Sequence, residues 1–168
     1  MFVIAAALAA GLVSALATPA FARLARRIGL VVAPRADRWH RQPTPLLGGA
    51  AIALGLALVL VLALPLDLTT LVVLVCATGA FALGLLDDFR HLAPSTKLVG
   101  QVMIASLLAF GGVRVELIEF APASYVVTVL WVVGIMNAFN LIDNMDGLAA
   151  GVGAIAGIAL AVAAAPTT

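Results

Sequence analysis

Four carboxylates and three carboxamides stand where a lipid-soluble sequence should not have them. Asp87 and Asp88 end an apolar run in LGLLDDFRHLAPSTK, and Asn137, Asn140, Asp143, Asn144 and Asp146 crowd into NAFNLIDNMDG. A third segment, HRQPTPLLGGA at 40–50, brings His40, Arg41 and Thr44, then two prolines and the pair Gly48-Gly49. Carboxylates, water and phosphate oxygens are the ligands that the hard cation Mg²⁺ prefers, and Arg side chains clamp phosphate. A basic loop beside four carboxylates therefore suits metal-assisted work on phosphates.

Each segment also has a plainer reading. Asp87-Asp88 could lie in headgroup water, although two like charges at a helix C-terminus oppose the macrodipole. Neighbours on a helix point about 100° apart, so one carboxylate could meet a cation and the other a phosphate. Asp143 or Asn144 could cap a following helix, with Asp146 at its positive end. Capping leaves Asn137 and Asn140 unexplained, because they fall inside an apolar run, where polar groups usually mark a site. Asn140, Asp143 and Asp146 recur every third residue and would share one helix face. The 40–50 segment reads equally well as a loop with a helix start. Ser95 after Pro94 reads as an N-cap. Gln101 could bond across helices, with packing the favoured role for it and for Gly100.

The elements that must hold these residues follow from composition. Of the 168 residues 64% are hydrophobic and only 10% charged, and mean hydropathy is +1.22; a soluble domain is about one quarter charged. This is the composition of an integral membrane protein. Continuous apolar runs lie at roughly 2–22, 46–66, 68–86, 98–112, 122–140 and 147–165, against about 20 residues for a bilayer-spanning helix. They do not alternate, so helices rather than barrel strands are expected. The expectation is an all-α integral membrane protein of about six transmembrane helices, a single polytopic domain over 1–168. Only VRVELIEF at 113–120 alternates, which suggests a small strand or hairpin arm.

Orientation follows from basic residues. The N-terminal run ends in small residues that imitate a cleavage site, but it has no positive leader and is followed by Arg23, Arg26 and Arg27. It reads as an uncleaved anchor with its N-terminus outside. Arg23, Arg26, Arg27, Arg35, Arg38, Arg41, Arg90 and Lys97 then face the cytoplasm and only Arg114 lies outside. The three polar motifs share that inner face, while Asp67, Glu116 and Glu119 stay outside. Net charge is +1, which leaves no reason to expect nucleic acid as a partner. Cys76 is alone, so no disulfide forms within the chain.

The motifs HRQPTPLLGGAAI, LGLLDDFRHLAPSTKLVGQ and NAFNLIDNMDGLAAG, in that order, resemble those of the polyprenyl-phosphate N-acetylhexosamine-1-phosphate transferases. FNLIDNMDG is closer to the N-acetylglucosamine-1-phosphate branch than to the translocase that begins peptidoglycan lipid synthesis. The resemblance implies a bacterial plasma-membrane enzyme that uses Mg²⁺, with Mn²⁺ as a substitute. It would transfer the sugar phosphate of a UDP-N-acetylhexosamine to undecaprenyl phosphate for cell-wall or surface glycan synthesis. It implies that Asp87 and Asp88 activate the lipid phosphate, and that Asp88, Asp143 and Asp146 serve the metal. Asn140, Asp143 and Asp146 would also lie near the nucleotide. Arg41 falls where the translocase branch has a Lys near the pyrophosphate, and Thr44 begins its Thr-Pro pair. Asn144 and Met145 stand at the uracil pocket, where the family often has Gly-Leu. Family members have about ten or eleven membrane helices. This chain therefore resembles an N-terminal half, expected to be inactive alone and to need a C-terminal half or a second copy. Two other classes remain in view: a non-catalytic membrane scaffold, and a proton-coupled transporter using the inner-face carboxylates, which would call for carboxylates at midplane depth where these sit at the inner ends.

Overall fold

The computed structural model describes residues 2–32, 44–63, 65–116, 120–143 and 147–163. Six helices account for nearly all of them: α1 (Phe2–Arg27), α2 (Gly48–Ala63), α3 (Leu68–Arg90), α4 (Pro94–Phe110), α5 (Ala121–Ile142) and α6 (Leu148–Ala163). Two-residue strands β1 (Val31–Val32) and β2 (Thr44–Pro45) pair antiparallel between α1 and α2, with Val31 opposite Pro45. Three helices are long and apolar enough to cross a membrane, over Ala5–Arg27, Leu68–Arg90 and Ala121–Ile142; α2, α4 and α6 are apolar but have 16, 17 and 16 residues. This is an all-α membrane protein.

The sorting of side chains is that of a protein dissolved in lipid. Large apolar groups face outward, Leu62 at 76% and Phe110 at 78% exposure, and no large side chain is fully buried among the described residues. The buried positions are small: Ala25, Ala51, Ala105 and Ala109, with Cys76 and Leu47. Lipid tails are as apolar as leucine, so burying leucine gains little. Small residues are used where backbones must approach.

Successive helices run antiparallel. At the α1–α2 crossing the two backbones meet: a Cβ on Gly55 would lie 2.5 Å from the Ala10 carbonyl oxygen and 3.2 Å from the Ser14 amide nitrogen. At the turn the Leu46 amide donates to the Leu30 carbonyl at 3.1 Å. Gly49 at the start of α2 faces Phe81 of α3, Gly100 of α4 sits against Leu83 of α3, and Gly153 of α6 meets Phe139 of α5. α4 is thus sandwiched between α3 and α5, whereas α6 packs chiefly on the end of α5 and buries none of its described residues. The C-terminal ends of α1, α3 and α5 and the N-terminal ends of α2, α4 and α6 share one end of the bundle.

Helix ends explain where the sequence boundaries shift. Asp67 caps α3, its side chain accepting from the Thr70 amide at 2.8 Å, and that bond holds its carboxyl below the usual range. α3 runs on to Arg90 and exits through His91 in the left-handed region, φ 50°, a conformation that His tolerates better than most residues. α4 begins earlier than its apolar run, at Pro94, with Ala93 rather than Ser95 as its N-cap. Pro suits a first helical turn, where its missing N–H costs nothing. Asp143 is the C-cap of α5, not the N-cap of α6. The alternating stretch at 113–116 forms no strand, and 117–119 lie outside the described residues. The Val115 amide donates instead to Thr128 Oγ1 at 2.9 Å, and Ser124 Oγ donates to the Val115 carbonyl. The link is thereby tied to two buried hydroxyls of α5, which satisfy its main chain and leave no need for a partner strand.

The α1–α2 crossing gives a clear contrast. Gly55→Ala should destabilise the protein by about 1–3 kcal/mol, the cost of forcing atoms into a packed contact. Gly11→Ala, where nothing lies within 4 Å of the new methyl, should be neutral or slightly stabilising. Unfolding of the two variants in detergent, followed by circular dichroism, measures the difference.

Candidate functional site

The end shared by α3, α4 and α5 is held by one ammonium group. Lys97, in the first turn of α4, donates from Nζ to Asp87 Oδ2 of α3 at 2.7 Å and to Asn140 Oδ1 of α5 at 3.1 Å. The Lys97 and Asp87 side chains are 19% and 24% exposed, so water screens this pair less than a surface pair worth about 0–1 kcal/mol. The other oxygen, Asp87 Oδ1, accepts from the Leu92 amide at 3.1 Å. Asp87 therefore finishes the α3–α4 turn as well as binding Lys97, and the opposed helix dipole is offset by a cation and an N–H donor.

One turn further into the bundle a second polar rung joins α4 and α5. Asn137 Nδ2 donates to Gln101 Oε1 at 2.7 Å and to the Val133 carbonyl at 2.8 Å, and Gln101 Nε2 donates back to Asn137 Oδ1 at 3.5 Å. Gln101 is 2% exposed. Cross-helix bonds of this kind average only about 0.6 kcal/mol in a membrane, but an amide left unpaired there costs roughly 1–3 kcal/mol. The pair contributes little to net stability and strongly penalises misregister.

Asp88 is different from its neighbour. Its carboxylate makes no hydrogen bond or ion pair among the described residues, yet it lies within electrostatic reach of Asp87, Asp143, Lys97 and His91. Asp143 is exposed at the end of α5 and its carboxylate is likewise unbonded among the described residues. Two unpaired carboxylates beside a neutralised third form a local excess of hard oxygen donors, the donor type that Mg²⁺ takes. Among the described residues no three His, Cys, Asp or Glu side chains are grouped closely enough to hold a metal ion.

Of the residues singled out by sequence, Asp87, Asp88, Asn140 and Asp143 are brought to one end of the bundle. Thr44 is exposed in β2, at the turn into α2. His40, Arg41, Asn144, Met145 and Asp146 lie outside the described residues. Lys97 is the site residue that sequence reasoning passed over, having counted it only among the basic residues. Two signals could have found it: it is the only lysine in the chain, and it stands four residues before Gln101, on the same face of α4. Asn137, read as a site residue, is the partner of Gln101, whose cross-helix bond had been ranked below packing.

Comparison with known proteins now decides the family. The profile of Glycosyl transferase family 4 matches residues 70–167, which include both acidic motifs and the Lys97 bridge. The chain belongs to that family. Relatives with assigned roles resemble it along most of its length. A Bacillus subtilis protein, "Probable undecaprenyl-phosphate N-acetylglucosaminyl 1-phosphate transferase", is 34% identical over 88% of this chain and 44% of its own. The decaprenyl-phosphate N-acetylglucosaminephosphotransferase of Mycolicibacterium smegmatis is 35% identical over 92% of this chain and 43% of its own. A phospho-N-acetylmuramoyl-pentapeptide-transferase of Halalkalibacterium halodurans is 31% identical over 90% and 55%. The chain thus spans about half the length of the curated relatives it matches. No solved structure matches it.

Proposed function

We propose that this chain carries the acidic face of a glycosyl transferase family 4 enzyme that moves N-acetylhexosamine 1-phosphate from a UDP-sugar to undecaprenyl phosphate. The observation that carries the reading is the meeting of Asp87, Asp88, Lys97, Asn140 and Asp143 at one end of an apolar bundle, within the segment that matches the family. A phosphate-bearing lipid arrives at that depth of the membrane and a soluble nucleotide can reach it from water.

In the reaction an oxygen of the lipid phosphate attacks the sugar-bearing phosphorus. The bond from that phosphorus to the oxygen bridging to UMP breaks, UMP leaves with the bridging oxygen, and a lipid-linked pyrophosphoryl sugar remains. Lys97 uses two of its three N–H donors on Asp87 and Asn140 and keeps one for a phosphate oxygen. Asp88 and Asp143, with Asp146, supply oxygen ligands suited to Mg²⁺, with Mn²⁺ as the alternative. The bound ion would neutralise charge that develops on the transferring phosphoryl group. Asn140, oriented by Lys97, and Arg41, Thr44, Asn144 and Met145 are assigned to the nucleotide sugar. Asp87 holds Lys97 toward the lipid phosphate rather than binding the ion.

The polyprenyl-phosphate acceptors in the relatives' names support a bacterial plasma membrane, and the basic residues favour this end facing the cytoplasm. In a Cys76→Ala background, Leu92→Cys should react with an impermeant maleimide only from the cytoplasmic side and Glu116→Cys only from outside. External labelling of Leu92→Cys would overturn the orientation.

The chemical test joins residues 1–163 in frame to the remainder of the Bacillus subtilis relative and follows UMP release from UDP-N-acetylglucosamine, undecaprenyl phosphate and Mg²⁺. Asp88→Asn and Asp146→Asn should each lower turnover about 100-fold or more, the scale of a lost transition-state charge contact, and chelation should abolish it. Asp67→Asn and Glu116→Gln, at the opposite end, should keep near-parent rates. Equal effects from the two groups would refute the assignment.

A further inference from the structure

The Lys97 bridge and the Gln101–Asn137 pair are consecutive rungs between the same two antiparallel helices. Lys97 and Gln101 are four residues apart on α4, about 6 Å along its axis, and Asn140 and Asn137 are three apart on α5. The buried stripe of α4 continues the same interval through Ala105 and Ala109. The methyl groups of Ala105 and Ala109 below the rungs carry no directional contact of their own and so do little to fix the register of α4 on α5. The amide pair does fix it, because a shift of one residue on either helix leaves both amides unpaired among apolar side chains. Asn137 is further pinned by its bond to the Val133 carbonyl.

We propose that Gln101 and Asn137 are positioning residues: their reciprocal amide pair sets the register of α4 on α5 and so holds Lys97 between Asp87 and Asn140. The role assigned to that lysine rests on the transferase reading; the positioning itself does not. Neither amide touches the site, and both act through Lys97. The acidic motif on α5 thus has two jobs on successive turns, with Asn137 for register and Asn140 for the ammonium.

The single lysine makes the test direct. Acetylation of Lys97 by an N-hydroxysuccinimide ester, in nanodiscs holding the full chain, is followed by peptide mass analysis, which separates Lys97 from the N-terminal amine. Gln101→Leu and Asn137→Leu should each raise the rate at Lys97 by about fivefold, the scale of one lost hydrogen bond. Asp87→Asn, which removes the ion pair itself, is the positive control. Thr78→Val, which removes a hydroxyl bonded only within its own helix at Leu74, should leave the rate unchanged. The exchanged double variant Gln101→Asn/Asn137→Gln keeps two complementary amides of the same combined length and should restore the parent rate. Parent-like labelling in the leucine variants would overturn the proposal. If those variants fail to fold, the exchanged pair decides: fast labelling there overturns it and parent-like labelling supports it. The readout needs no turnover, so a silent hybrid enzyme with intact labelling results would refute only the transferase reading.

Discussion

A lysine ammonium held by an aspartate and an asparagine from two other helices is the contact on which this end of the protein depends. In a bundle whose helices meet through small side chains, apolar packing supplies proximity but little specificity. Lys97 supplies the specificity, because its donors must be satisfied by Asp87 on α3 and Asn140 on α5. Removing the ammonium would leave a half-buried carboxylate without its counter-charge beside Asp88. At the centre of the acidic cluster one cation offsets the charge of its most buried described carboxylate.

That arrangement separates the roles of two adjacent aspartates. Asp87 is spent on structure, bonding Lys97 through one oxygen and the Leu92 amide through the other. Asp88, about 100° further round the helix, makes no hydrogen bond or ion pair among the described residues and feels repulsion from Asp87 and Asp143 against attraction from Lys97 and His91. Of the two carboxylates, the unbonded one is the better placed to take a cation in the proposed reaction. The acidic pair therefore divides into a bonded member, Asp87, and a member with no bond among the described residues, Asp88.

All six helices could be read from the apolar runs, because a bilayer demands long uninterrupted segments and this chain has little else. Their ends were less legible. α3 outlasts its apolar run because Asp87 and His91 terminate it chemically, and α4 starts before its own run because Pro94 fits a first turn. The alternation at 113–116 suggested a strand, but Val115 had a closer remedy in the hydroxyls of Ser124 and Thr128. The acidic site residues stood out by type, since carboxylates in an apolar chain need a reason. Lys97 did not, because a basic residue at a helix start looks like an ordinary topology signal. Its partners, ten and 43 residues away, are known only once the helices are packed.

The central claim, that Lys97 links three helices, can be read from one resonance. The sole lysine, labelled with ¹³C at Cε, gives a single side-chain signal in nanodiscs. Substituting Asp87→Asn on α3 and, separately, Asn140→Ala on α5 should each move that signal, while Asp67→Asn at the far end leaves it in place. A Lys97 resonance indifferent to both Asp87→Asn and Asn140→Ala would contradict the account.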